Sequence, residues 1–450
     1  MTLTRRQWLK GAGTLTAASM LPWPLRASQS ELPLIHLQAR ESTAAWLDTP
    51  TPVWSYAQPT LRLRQGVAQR IRVTNHLPEP TTVHWHGLRV ANAMDGVSGL
   101  TQAPIEPGES FDYEVMSPDA GTFWFHSHHN TIEQLARGLY GALIVSGDNE
   151  PDFEQDWPLL IDDWRLTKNG RIDPAFASLH TQAHGGRMGN VLTINHRLGP
   201  WQGRARSGDR VRLRLVNSAT NRILQLRAEF PSALVLAKDG QPLTSPEPLP
   251  DVFILGPGER LDLGWLANET GQLMEVSGRK PLVVARVEVE PGGEAGIPRY
   301  PGVMALPVNP MPEVSADVTQ TVPLKMEGGA MGRLESARYE GETMAFRELV
   351  DQGQVWALSG QVGLPEEPLF RARQGETVAL QLDNRTSFPH TLHWHGHHVW
   401  ADDRWQDSLT VTRGQTKTVR MVAGGPGKWL IHCHMIDHQA TGMMTWFEVV

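Results

Sequence analysis

Apolar and polar residues alternate along several short segments. Arg70-Ile71-Arg72-Val73, Val211-Arg212-Leu213-Arg214-Leu215 and Val378-Ala379-Leu380-Gln381-Leu382 each put every second residue on an apolar face. That period belongs to a half-buried strand, whose successive side chains point to opposite faces of its sheet. Pro-Gly and Gly-Glu pairs punctuate the segments, which predicts short strands joined by tight turns: an all-β chain of antiparallel, Greek-key β-sandwiches. Met326 to Phe346 lacks the alternation and reads as irregular or partly helical.

The pattern repeats. Arg64-Gln65-Gly66 is followed by Asn75 and then His84-Trp85-His86-Gly87, and Arg373-Gln374-Gly375 is followed at the same intervals by Asn384 and His393-Trp394-His395-Gly396. A middle copy runs from Gly208 through Asn217, with Leu226 and Ala228 where the histidines would stand. Gly108 to Gly121, Gly258 to Gly271 and Gly414 to Gly427 share a second spacing, and five residues further on come His126-Ser127-His128, Val276-Ser277-Gly278 and His432-Cys433-His434. A repeated spacing implies a repeated unit. Three homologous domains are expected, at 29–150, 151–300 and 301–450, with boundaries near Asp148 to Asp156 and in the proline-rich run from Gly292 to Pro312. The middle domain, stripped of histidines, is expected to act as a spacer that lets the outer two face each other.

Composition agrees. With 42 glycines and 33 prolines in 450 residues the chain is turn-rich, and a net charge of -7 from dispersed acids with no long basic run argues against a nucleic-acid partner. No apolar run approaches the roughly 20 residues needed to span a bilayer, so no membrane span is expected. Thr4-Arg5-Arg6-Gln7-Trp8-Leu9-Lys10, a mildly apolar stretch and Leu25-Arg26-Ala27 resemble a twin-arginine export signal. Residues 1–28 are therefore set apart from the fold, and the protein is expected in the periplasm or otherwise exported, as a monomer.

The candidate chemistry gathers near the C-terminus. The only cysteine, Cys433, lies between His432 and His434, with His438 and Met443 close behind. Thiolate, imidazole and a weak axial thioether are the donors of a mononuclear blue-copper site. Cys433, His438 and Met443 supply three of them, and His390, three residues before His393, is the natural second imidazole. In a strand, 432 and 434 face away from Cys433 and can serve a second centre. Four His-x-His pairs exist, at 84/86, 126/128, 393/395 and 432/434, where chance placement of 18 histidines gives about one. Each pair alone would also suit zinc. Eight imidazoles converging from domains one and three exceed what one metal takes, and suit several copper ions. The other eight histidines, His129, His397 and His398 among them, read as surface or supporting groups.

These residues resemble those of the multicopper oxidases over nearly the whole mature chain, nearest to three-domain bacterial laccases and periplasmic copper oxidases. The resemblance implies three cupredoxin-like domains and four copper ions. His390, Cys433, His438 and axial Met443 would hold the type 1 copper. His84 and His393 would hold type 2, and His86, His126, His128, His395, His432 and His434 the type 3 pair. It also implies that Cys433 passes substrate electrons to a cluster that reduces dioxygen to water. Asp95, eleven residues after His84, matches the carboxylate given the proton-relay role in bacterial members; the alternative is a turn aspartate at the surface. A second acid found in relatives after the last type 1 histidine is Gln439 here, with Asp437 nearby.

For the reductant, the chain lacks the long methionine-rich insertion of cuprous oxidases, offering only Met326, Met331 and Met344, and carries Thr386 and Phe388 ahead of His390. Both features favour phenols and aromatic amines. Cuprous ion is the alternative, supported by Met443-Met444 and by export. A non-catalytic envelope protein on the same scaffold would have lost the ligands. Copper nitrite reductase has two domains per chain and lacks the eight-histidine cluster.

Overall fold

The computed structural model describes residue 32 and residues 34–46, 50–291 and 304–450. The expected export signal and most of the second expected boundary lie outside them. Residues 34–450 form one compact unit.

One asparagine anchors each copy of the repeat in the same way. The side-chain oxygens of Asn75, Asn217 and Asn384 accept the main-chain N–H two residues on, at 2.9, 3.0 and 3.0 Å. Their amides donate to a carbonyl four or five residues ahead, in Glu79, Arg222 and Phe388, and to a strand-end carbonyl far along the chain, in Ile105, Leu255 and Val411. Their own carbonyls take the N–H of Gly108, Gly258 and Gly414, whose φ values of 85°, 86° and 69° lie in the left-handed region that favours glycine. The spacing seen in the sequence is thus the reach of one hydrogen-bonded turn made three times.

Each copy builds two packed sheets. In the first, Thr51–Tyr56, Leu34–Ala44, Gln69–His76 and Ser110–Val115 lie side by side, and Thr60–Arg64, Tyr140–Ser146, Gly121–Ser127 and Val83–His86 form the other layer. The middle copy has sheets of seven and five strands, and the third of six and five with a separate hairpin. Each sandwich has its own apolar core. The sheets are mixed, not purely antiparallel as expected. Leu34–Ala44 runs parallel to Gln69–His76, Gln155–Trp164 to Asp209–Asn217, and Gln320–Gly328 to Thr377–Asn384, because the chain visits the opposite sheet between the paired strands.

The strands that carry the His-x-His pairs are neighbours. His84 lies opposite His126, and His393 opposite His432. In the middle copy Leu226 pairs with Glu275 and not with Val276, its counterpart by spacing, so the register there differs by one residue. Met326 to Phe346 is more regular than expected: Met326 lies in the strand Gln320–Gly328, Ser336–Tyr339 and Glu342–Ala345 form a hairpin, and only the end enters the helix Phe346–Asp351. Two other short helices, Thr131–Gln134 and Ile436–Ala440, follow the His-x-His strands of the first and third copies. Among the described residues no helix is long and apolar enough to cross a membrane.

A mononuclear donor set joined to an eight-histidine cluster

Cys433 ends the buried strand Gly427–Cys433, and its Sγ lies 3.6 Å from His390 Nδ1 and 3.8 Å from His438 Nδ1, which are 3.0 Å from each other. The tautomers are fixed from behind. His438 Nε2–H donates to the His184 carbonyl at 2.7 Å, and His390 Nε2–H donates to Thr386 Oγ1 at 2.8 Å. Thr386 can accept because its own proton is directed to Asn384 and Phe388. Both Nδ1 lone pairs are therefore left free beside the sulfur. Burial, with His438 as neighbour, holds His390 well below the usual imidazole range, and burial pushes His438 down to about 4. Burial also pushes the Cys433 thiol up to about 12, so a bound cation is needed to make it a thiolate. Met443 is fully buried, and its carbonyl accepts the Cys433 N–H.

The eight paired histidines converge between the first and third copies, and pseudo-twofold symmetry relates them. His84 stacks on His395 with ring centres 3.8 Å apart, and His86 on His393 at 3.7 Å. His126 meets His434 and His128 meets His432, both with centres 5.3 Å apart. Nε2 atoms approach within 3.3 Å for His84 and His393, 3.1 Å for His395 and His432, and 3.5 Å for His126 and His434. Outward nitrogens are tied down: His126 Nδ1–H to the Ser127 carbonyl, and His432 Nδ1–H to the Cys433 carbonyl. Burial first, then repulsion from neighbouring imidazoles, holds His86, His126, His128, His395, His432 and His434 well below their usual range.

Neutral imidazoles with lone pairs turned inward fit metal ions. His86 Nδ1, His128 Nε2 and His434 Nδ1 are buried without any hydrogen-bond partner, a costly arrangement that coordination would relieve. Groups such as His84–His393–His395, His128–His395–His432 and His390–Cys433–His438 hold their donor atoms within 4.8 Å of one another. Nitrogen-rich donors around one centre, and two imidazoles with a thiolate around the other, suit copper.

Asp95 is fully buried and not a surface turn residue. Its main-chain carbonyl accepts His84 Nδ1–H at 2.8 Å, its Oδ2 lies 2.9 Å from His395 Nδ1, and its Oδ1 has no hydrogen-bond partner. Asp407 does for the third copy what Asp95 does for the first, and the sequence did not reveal it. Its carbonyl accepts His393 Nδ1–H at 2.9 Å, and its Oδ1 lies 3.2 Å from His86 Nε2. Burial alone would raise the Asp407 carboxyl, but the Arg260 guanidinium, with hydrogen bonds from His393 and His86, holds it well below the usual carboxylate range.

The middle copy is more than a spacer. It supplies Arg260 to Asp407, the His184 carbonyl to His438, and Asn221 and the Arg187 N–H to Asp437. Asp437, whose carboxyl burial raises, is thereby committed to holding that loop. Gln439 instead lines a cavity of about 390 Å³ with Val97, Ser98, His128, His129 and Met444, so this space reaches the edge of the cluster. His397 and His398 are buried supports: His397 Nε2 accepts the Gly424 N–H, and His398 lies 3.4 Å from Asp407.

The first copy fills its equivalent of the mononuclear site with hydrogen bonds. Thr81, three residues before His84, and Ser127, between His126 and His128, both donate to the side-chain oxygen of Gln134 from the short helix that follows.

Residues 42–150 and 340–450 each match a protein family described as multicopper oxidase. The Multicopper oxidase MmcO of Mycobacterium tuberculosis is 28% identical over 433 residues, spanning 87% of this chain and 81% of that protein. A multi-copper oxidase from Pseudomonas thermotolerans has a similar structure with a TM-score of 0.80 at 30% identity, covering 93% of this chain and 99% of that one. Lac15 from a marine microbial metagenome gives 0.73 at 34% identity, covering 92% and 100%.

Proposed function

We propose that this chain, which belongs to the multicopper oxidase family of copper-dependent oxidoreductases using dioxygen, is laccase-like and oxidises phenols and aromatic amines. His390, Cys433, His438 and Met443 would hold the type 1 copper, His84 and His393 type 2, and His86, His126, His128, His395, His432 and His434 the type 3 pair. Four copper ions so held supply one-electron oxidation of the reductant and four-electron reduction of dioxygen to two waters.

The observation that carries the reading is the placement of Cys433. Its thiol forms a triangle with two imidazole nitrogens, while the residues bonded to it on either side, His432 and His434, stand in the cluster. A short covalent path, doubled by the His432 Nδ1–H bond to the Cys433 carbonyl, joins electron entry to the enclosed site. Burial encloses the cluster imidazoles, which limits loss of partly reduced oxygen. The cavity at His128 offers a way in for a diatomic molecule. Asp95, with Oδ2 on His395 and Oδ1 3.3 Å from His84 Nδ1, would serve as the carboxylate that relays protons toward the cluster.

The surroundings of His390 and His438 support an aromatic reductant. Trp356 packs against both rings, and Phe388 and His184 lie beside them, half-buried. The three methionines do not converge: Met326 fills the third core, Met344 packs under the hairpin, and Met331 is 78% exposed. Cuprous ion is a second reading, favoured by the His180 and His184 rings, 4.5 Å apart on the segment that holds His438, and by Met188, which is 39% exposed. Steady-state oxidation of a phenol, an aromatic amine and cuprous ion, with and without added copper, separates the two, and strong preference for cuprous ion reverses the ranking. Cys433→Ser is expected to abolish blue colour and turnover in a folded protein. Retained turnover would sink the mechanism. The Arg5-Arg6 segment supports export, and Lys at both positions should leave the protein in the cytoplasm.

A further inference from the structure

Asp95 and Asp407 occupy equivalent places behind the cluster. Each main-chain carbonyl fixes the Nδ1–H of its own copy's first histidine, His84 or His393, and each carboxylate reaches an imidazole of the opposite copy, His395 or His86. Their surroundings differ. Among the described residues, the ion-pair contacts of Asp95 are with His84 and His395. Asp407 is gripped through both oxygens by Arg260 of the middle copy, at 2.6 and 2.5 Å, and also meets Ser408 Oγ at 2.9 Å and His398 Nε2 at 3.4 Å.

Arg260 is itself built in. It is fully buried, its Nη1 also donates to the Gly258 carbonyl, and its main-chain N–H is held by Asp239 Oδ1, while Asp239 Oδ2 takes the Ser408 N–H. Two glycines make room, one for the pair and one for the His86 ring. A Cβ on Gly87 would stand 2.2 Å from Arg260 Nη2 and 2.6 Å from Asp407 Oδ2, and one on Gly258 would stand 2.8 Å from His86 Cε1. A bidentate fork fixes a carboxylate in orientation as well as charge. With both oxygens engaged by guanidinium, Asp407 is a support for the imidazoles and not itself a metal donor.

We propose that Arg260 and Asp407 form a positioning device through which the middle domain sets the His86 and His393 rings, so that the cluster's copper affinity depends on a residue of the domain that carries no copper ligand. The proposal rests on the copper reading above. In the Asp407→Asn and Arg260→Met proteins, the cluster's copper is expected to be released to a competing chelator at roughly 10- to 100-fold lower chelator concentration than in the unsubstituted protein. The type 2 paramagnetic signal should be altered or lost and the blue absorption of the Cys433 site kept. Arg260→Lys, which retains the charge without the fork, should retain more cluster copper than Arg260→Met. An unchanged type 2 signal and copper content, with only a lower Tm, overturns the proposal. So does loss of the blue absorption in step with the cluster signal, since a local device cannot empty the distant site. Should Asp407→Asn fail to fold, Arg260→Lys decides by the same readouts. Failure of the copper reading itself shows separately, as absence of blue absorption in the unsubstituted protein.

Discussion

Cys433 shows how the surroundings of a single side chain can suit it to a metal ion. Its thiol, pushed up to about 12 by burial, must give up a proton when copper binds, and the two imidazoles beside it are already neutral. Copper affinity at this site is therefore expected to rise about tenfold per pH unit between pH 6 and 8, read as blue absorption against a chelator. A flat response would mean that the thiol does not carry the proton. For Asp95→Asn, reoxidation of the reduced enzyme by dioxygen should slow by roughly a hundredfold with type 1 reduction unaffected, and equal reoxidation rates would remove Asp95 from the proton path. The histidines were legible in the sequence because strand period fixes which face each one takes. Asp407 was not, because it stands fourteen residues after His393 where Asp95 stands eleven after His84. Only the folded chain shows that the two carboxylates are equivalent.

At the scale of elements, the repeat could be read because it records one turn rather than a general resemblance. Asn217 makes that turn in the copy that carries no histidine pairs. Asn217→Ala leaves buried carbonyls and an N–H unmatched and should cost on the order of 3 kcal/mol, measured by urea unfolding. A change below the error of that measurement would show that the turn is not what holds the copies in register. The parallel strand pairs and the one-residue register difference at Leu226 stayed hidden, since alternation gives the face of a strand but neither its partner nor its direction. The hairpin after Met326 was missed for a related reason: its strands are short and mostly exposed, so no apolar period marks them.

For the molecule as a whole, the three sandwiches are tied together by burial as well as by the cluster. Trp46, Trp124, Trp164, Val216 and Ile436 share one apolar cluster drawn from all three copies. Four further buried histidines, His196, His397, His398 and His438, are each pushed by burial from 6.5 to about 4. Unfolded, these rings take up protons as pH falls through about 6.5; folded, they resist until about 4. The unfolded chain then binds more protons, and stability falls across that window, by up to about 1.4 kcal/mol per pH unit for each group. The copper-free protein should show a lower urea midpoint at pH 5 than at pH 7, and equal midpoints would contradict the burial of these rings as neutral species.

The triad of Thr81, Ser127 and Gln134 makes the molecule's two ends unlike. The first copy has the strand, the short helix and the buried hole of an electron-entry site, but closes the hole with hydroxyls and an amide where its twin has sulfur and imidazole. One inlet has been cut into a plan with room for two. Current on the proposed reading can arrive from only one side, and the direction of the circuit comes down to an oxygen atom standing in for a sulfur.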